Sequence, residues 1–96
     1  MLDSEGRLVR WSKKLEEVSG YCQTDLIGMQ FLDFFYGDDM ERVFRSIAMS
    51  VQNGLTELET DLYTRSGSRL TYYLTSIPLY INNELFIAGI GVVAPL

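Results

Sequence analysis

Residues 38–64, DDMERVFRSIAMSVQNGLTELETDLYT, decide the fold class because the hydrophobic period changes inside this stretch. Asp38 and Glu41 stand at the spacing of a capping box, and Gly54 is placed to end a helix, so we predict a helix over residues 39–53. Its apolar stripe recurs at helical spacing and comprises Met40, Val43, Phe44, Ile47, Ala48 and Val51.

After Gly54 the period becomes two, which is typical of a half-buried strand. Leu58, Thr60, Leu62 and Thr64 alternate with Glu57, Glu59, Asp61 and Tyr63. Residues 66–68 predict a turn into a second strand over 70–77, where Pro78 indicates an edge, a bulge or a strand end. Asn82 and Asn83 predict a two-residue hairpin turn into a closing strand over 85–93.

Upstream of residue 38 the chain predicts small elements. Residues 3–6 form a turn cluster before a short apolar strand over 8–11. Ser12 is placed to begin a helix over 13–19 that Gly20 ends. Residues 29–36 are dense in aromatic side chains, and we expect a helical turn pressed into the core. The chain is therefore predicted to be an α+β domain.

The composition limits the functions that this domain can have. The 96 residues carry a net charge of −5 and eight scattered basic residues, which argues against nucleic-acid binding. No apolar run is long enough for a membrane helix, and the N-terminus does not resemble a signal peptide. The single cysteine forms no internal disulfide. We expect a cytoplasmic protein.

Several short segments resemble the PAS family of sensory domains in their order and spacing, over nearly the whole chain. They are Asp3-x-x-Gly6, Gly20-Tyr21 followed by Leu26-Ile27-Gly28, Asp38-Asp39, and Arg65-Ser66-Gly67-Ser68. The resemblance implies a five-stranded antiparallel sheet, with its first strand truncated, and short helices plus one long helix on one face.

The departures from the family pattern concern the segment before the long helix and the C-terminus. Tyr36-Gly37 stands where His-Pro is common, and Ala94-Pro95-Leu96 replaces an Asp-Ile-Thr motif and a signalling helix. We therefore expect residues 1–96 to be a single PAS domain excised from a larger bacterial signalling protein, a sensor histidine kinase by preference. A cyclic-dinucleotide enzyme or a transcriptional activator is the other kind of output domain that the resemblance allows.

The resemblance also implies a cavity between the sheet and the helices. Its lining would comprise Trp11, Tyr21, Phe31, Phe35, Phe44, Ile47, Tyr72, Leu74, Gly89 and Gly91. The alternative is that these side chains fill the space themselves, since each large aromatic residue buries roughly 150–250 Å². With five Phe and six Tyr in the chain, we favour the filled core.

The sequence offers little catalytic or metal-binding chemistry. The chain has no histidine, the expected axial ligand of haem in this fold. Cys22 lacks the Asn and Arg neighbours of flavin-adduct members, so no cofactor is predicted, although a non-covalent flavin or a small metabolite stays open. Glu57, Glu59 and Asp61 lie ~6.5–7 Å apart along a strand, too far for joint metal ligation. Without a Gly-x-Ser-x-Gly elbow or a phosphate loop, we expect no enzyme activity.

These observations favour a non-catalytic sensor and signal-relay domain that acts through conformational change and homodimerisation. The dimer would form through flanking segments and the outer sheet face, where Tyr63, Tyr73 and Thr75 are candidates. The output domain of the same chain would be its other partner. The alternative is a sensory PAS domain whose cavity holds a small molecule or a flavin.

Overall fold

The computed structural model describes residues 1–94, so Pro95 and Leu96 of the C-terminal departure lie outside the described residues. Three helices and a 3₁₀ turn precede three strands in the chain. The helices are α1 (Lys13–Ser19), α2 (Gln23–Leu26) and α3 (Gly37–Asn53), with the 3₁₀ turn (Phe31–Phe34) before α3. The strands are β1 (Thr56–Tyr63), β2 (Arg69–Ile81) and β3 (Glu84–Val93).

The C-terminal end of α1 and the N-terminal end of α2 are each set by a cap residue. Gly20 ends α1 with a φ of 77°, a left-handed conformation that favours glycine. Cys22 begins α2, and the Asp25 carboxylate accepts from the Cys22 backbone N–H at 3.2 Å. Hydrogen bonding to Cys22 lowers the pKa of Asp25. Cys22 thus occupies the N-cap position of α2.

The predicted long helix is confirmed as α3, but it begins two residues earlier than predicted. Tyr36 is the N-cap residue, so the helix begins at Gly37 and the predicted capping box of Asp38 and Glu41 does not form. Asp38 instead lies in the first turn, where its charge complements the positive end of the helix dipole. Gly54 ends the helix as predicted.

The sheet has three antiparallel strands in the order β1-β2-β3, and the predicted five strands are not present among residues 1–94. Residues 8–11, predicted as a strand, contribute only an isolated bridge from Leu8 to Leu2. Leu8 and its neighbours bond instead to loop backbone, as in the 2.9 Å bond from Leu8 N–H to the Met29 carbonyl. The strand prediction failed because the backbone partners of this segment are loops.

Pro78 lies within β2, which continues through it to Ile81. Its partner Ile87 exchanges two 2.8 Å backbone hydrogen bonds with Leu2, on the side of β3 away from β2. Pro78 therefore occupies a non-hydrogen-bonded pair with Ile87, and its nitrogen faces the side of β1. The strand β1 begins at Thr56, opposite Ser76, so it does not extend as far as Pro78. The missing N–H of Pro78 therefore removes no hydrogen bond between β1 and β2.

The two edges of the sheet differ. At β1, Arg42 of α3 donates to the Glu59 carbonyl at 3.0 Å, so a side chain occupies part of that edge. At β3, Ile87 alone is bridged on this side by residues 1–94, and the alternation of a strand directs the N–H groups of Gly89, Gly91 and Val93 to the same open side. Within residues 1–94 these three amides have no partner, so β3 is the open edge.

The core lies between the inner sheet face and the helices. Its buried hydrophobic residues are Leu2, Leu8, Leu26, Phe31, Phe34, Phe35, Val43, Leu62, Tyr72, Leu74 and Ile87. The predicted helix stripe is too broad, because Val43 and Ser50 face the core while Phe44 is 59% exposed. Within the described residues no helix has the length and apolar character to cross a membrane.

Candidate functional site

A cavity of about 460 Å³ lies between the inner face of the sheet and the N-terminal segments. Strand alternation positions its sheet wall, because Tyr72, Leu74 and Ser76 of β2 share the inner face with Gly89 and Gly91 of β3. Of the ten lining residues predicted from the sequence, seven line it: Trp11, Phe31, Ile47, Tyr72, Leu74, Gly89 and Gly91.

The other three predicted residues lie elsewhere. Tyr21 packs edge-on against Phe34, with ring centroids 5.7 Å apart. Phe35 is fully buried against Phe31, with centroids 5.3 Å apart. Phe44 lines a second, smaller groove of about 240 Å³ beside Val51. The aromatic residues therefore fill one part of the core and leave a cavity in another, which corrects our expectation of a wholly filled core.

Tyr72 and Gly91 together shape the strand wall of the cavity. The Tyr72 ring leans diagonally across the sheet onto Gly91, where a Cβ atom would overlap the ring. A side chain at Gly91 would push this ring out of its place. Burial raises the pKa of the Tyr72 phenol.

Two hydroxyl residues of β2 contribute to the polar part of the cavity wall. Ser76 is 2% exposed and Tyr72 is 8% exposed. Both residues line the cavity, and neither side-chain hydroxyl has a hydrogen-bond partner among residues 1–94. Because these hydroxyls line the cavity and are not bonded to another described side chain, they can bond a polar group of a ligand.

The sequence analysis missed Ser76, Arg10 and Lys14, which also line the cavity. The period-two pattern could have found Ser76, because it lies two residues after Leu74 on the same face. No local signal identifies Arg10, whose segment reaches the cavity through loop contacts: the Arg10 carbonyl accepts from the N-terminal amine of Met1 at 2.7 Å.

Trp11 closes one side of the cavity from the loop before α1. Its indole Nε1 donates to the Glu16 carboxylate at 3.1 Å. This bond joins the loop to the first turn of α1 and fixes the direction of the indole ring. The apolar body of Trp11 thereby faces the cavity, while its polar edge is satisfied outside it.

No protein-family model and no curated protein matches the chain. Solved structures do match it. A PAS domain of a protein from Colwellia psychrerythraea superposes with a TM-score of 0.83 at 22% identity, covering 96% of this chain and 80% of that one. PAS-B of Drosophila melanogaster Cycle, with bound ethylene glycol, gives 0.85 at 16% identity, covering 97% and 95%.

The chain has the PAS fold. A PAS domain of an HTR-like protein from Haloarcula marismortui agrees, with a TM-score of 0.76 at 16% identity, covering 97% of this chain and 77% of that one. The resemblance stated from the sequence is thus confirmed for the fold.

The motifs of the PAS resemblance have local physical roles in this chain. Gly20 and Gly28 adopt positive φ values of 77° and 74°, and Leu26 between them is fully buried. Gly67 has a φ of 89° in the turn between β1 and β2. Each glycine permits a reversal that places the adjacent element on the core, so the order of the motifs reports the order of the turns.

The outer face of the PAS sheet is apolar and exposed along β2 and β3. Ile90, Val92 and Tyr73 are 65%, 56% and 47% exposed. Of the dimer candidates named from the sequence, Tyr73 lies on this exposed face, whereas Tyr63 packs edge-on against Tyr36 with centroids 4.6 Å apart. Thr75 is on the same face and is half-buried.

Proposed function

We propose that this PAS-fold chain is a non-catalytic sensory domain that binds a small molecule in the cavity beneath its sheet. The observation that supports the proposal is the cavity itself, which has about 460 Å³ of space and a largely apolar wall. Its size is within the ~300–1,000 Å³ range of small-molecule sites. The wild-type Cycle PAS-B domain carries bound ethylene glycol and a variant of it carries bound glycerol, which supports the proposal.

The mechanism that follows is conformational. The cavity touches Ile47 of α3 and both glycines of β3, so a ligand contacts the long helix and the final strand at once. A ligand that prefers one packing of these elements shifts the population towards it. We propose that β3 passes this change to an output domain of the parent protein, a histidine kinase in the first instance, in a bacterial cytoplasm.

The test is native mass spectrometry of the purified chain, with its visible absorption spectrum. We expect a bound small molecule, and flavin-like absorbance would identify a non-covalent flavin. The variant Gly89→Leu is expected to abolish this binding, because its side chain points from β3 into the cavity.

The matched control is Thr75→Leu, on the opposite face of the sheet and paired with Ile90. It adds apolar bulk to the same sheet and should retain the bound mass. A protein that is free of ligand, and that no compound of a metabolite library stabilises in thermal unfolding, would contradict the proposal. Equal loss in both variants would also contradict it, since the binding would then not depend on the cavity.

A second candidate function is ligand-independent relay by a homodimer. The supporting observation is the outer sheet face, where Ile90 and Val92 are more than half exposed. Contiguous apolar surface of this kind is typical of interaction sites. In this case the outer faces of two copies would meet, and the relative position of the copies would carry the signal.

Sedimentation of the chain at several concentrations tests the dimer. Ile90→Glu places a charge on the apolar face and should leave a monomer. Gln52→Glu, on the exposed side of α3, adds the same charge elsewhere and should leave the dimer intact. A wild-type chain that stays monomeric at all concentrations, or an Ile90→Glu chain that still dimerises, would contradict this function.

A further inference from the structure

The basic residues of the chain divide into two groups. Each of the five arginines outside the N-terminal segment 8–14 has a carboxylate within 4 Å: Arg7 with Glu5, Arg42 with Asp39, Arg45 with Glu41, Arg65 with Asp25, and Arg69 with Asp61. Among residues 1–94, Arg10, Lys13 and Lys14 have no such partner. The basic side chains without a carboxylate partner are therefore concentrated in one short segment of an acidic chain.

Two of these three cations line the cavity. Arg10 and Lys14 contribute to its wall, whereas Lys13 does not. Within the described residues no aspartate or glutamate lines it. The Glu16 carboxylate, the nearest one in sequence to Lys14, is bonded to the indole of Trp11. The chain has a net charge of −5, but the charged side chains that line the cavity are positive.

The remaining side chains of the wall are apolar apart from three hydroxyl residues. Ser76 and Tyr72 are largely buried residues of the cavity wall, and Ser12 precedes Lys14 by two residues. Both Arg10 and Lys14 are exposed, so they stand where the cavity opens to water. The wall thus runs from an apolar interior with hydroxyl groups to a cationic opening.

We infer that the cavity selects an anionic amphiphile, a carboxylic acid whose apolar body lies beneath the sheet and whose carboxylate meets Arg10 and Lys14. This inference rests on the proposed function and names the ligand class of that site. A cation at an exposed site gives a charge interaction of modest size, which salt screens. The apolar body therefore supplies most of the affinity, and the cations supply the preference for the acid over the alcohol.

The test compares two acids with their alcohols: octanoate with octanol, and 4-phenylbutanoate with 4-phenylbutanol. Affinity is measured by calorimetry at neutral pH, below the concentrations at which the compounds aggregate. We expect each acid to bind more tightly than its alcohol. We expect Arg10→Gln and Lys14→Gln each to weaken acid binding by about two- to fivefold and to leave alcohol binding unchanged.

Lys13→Gln is the matched control, because it removes the same charge from a neighbouring exposed position outside the cavity. It should keep the preference for the acids, and raising the salt concentration should reduce that preference in the wild-type chain. Alcohols that bind as tightly as the acids, or a loss in Lys13→Gln equal to that in Lys14→Gln, would overturn the inference and leave the cavity site standing. If neither acid nor alcohol binds, the inference falls together with the proposed site.

Discussion

Gly89 and Gly91 lie two residues apart on the same face of β3, and the structure predicts opposite effects when each receives a methyl group. At Gly91 the new Cβ would overlap the Tyr72 ring, so the ring must leave its position on the sheet. At Gly89 the nearest atoms would be the Thr75 carbonyl oxygen at 3.6 Å and Leu74 Cδ1 at 3.7 Å, which are ordinary contacts.

The magnitudes follow from these contacts. Overpacking a core costs about 1–3 kcal/mol, and about 1 kcal/mol shifts the melting temperature of a domain of this size by roughly 4–8 °C. We therefore expect Gly91→Ala to melt about 4–24 °C below the wild-type chain. Gly89→Ala should be neutral or more stable by up to about 1 kcal/mol, because glycine in a strand is less favourable than alanine.

Thermal unfolding followed by circular dichroism measures both variants, and Tyr72→Leu completes a double-mutant cycle. Without the ring, Gly91→Ala should cost much less, which gives a coupling free energy between the two positions. If Gly91→Ala melts with the wild-type chain, or if its cost is the same in the Tyr72→Leu background, the ring does not occupy Gly91 and the described cavity wall is wrong.

Three further predictions concern single side chains. Burial raises the pKa of Tyr72, so the unfolded chain loses this proton first, and stability should fall as pH rises above about 10. Urea unfolding at about pH 8 and about pH 11 should show a smaller fall in stability in Tyr72→Phe than in the wild-type chain, and an equal fall in the two chains would contradict this prediction. Phe34→Ala should cost about 3–5 kcal/mol at its fully buried site, and Phe44→Ala, 59% exposed, under about 1 kcal/mol; equal costs in chemical denaturation would refute the assigned helix face. The buried Thr60 hydroxyl has no hydrogen-bond partner among residues 1–94, so Thr60→Val should raise the free energy of unfolding by about 1 kcal/mol, and a destabilised variant would show that this hydroxyl is bonded.

The elements that the sequence predicts correctly are those whose signals are local. The helix that ends at Gly54 is predicted by its hydrophobic periodicity and by the glycine after it. The hairpin turn is predicted by Asn82 and Asn83, because asparagine accepts a positive φ, and both residues adopt one. The strand predicted over residues 8–11 fails because strand formation depends on a distant backbone partner. For these residues the partners are Met1 and the loop carbonyl of Met29.

The cavity is harder to predict than the fold, because its volume is the difference between the space enclosed and the side chains that fill it. Seven lining residues were correctly predicted from the family resemblance. Phe44 was predicted with them because it belongs to the apolar stripe, but it lies on the exposed side of α3. The helix rotates to bury Val43 and Ser50 instead, and Ser50 is satisfied by the Ile47 carbonyl at 2.6 Å. Small polar residues of this kind give no hydrophobic signal in a sequence.

The open edge of β3 has a consequence for hydrogen exchange. Amides of Ala88, Ile90 and Val92 point to β2 and should exchange slowly, whereas those of Gly89, Gly91 and Val93 point to solvent and should exchange quickly. One strand would thus show alternating fast and slow protons along its length. A polypeptide that pairs with this edge would slow the exchange of the Gly89, Gly91 and Val93 amides and leave the exchange of the other three unchanged. The exchange rates of these three amides beside the cavity would therefore detect such pairing at single residues.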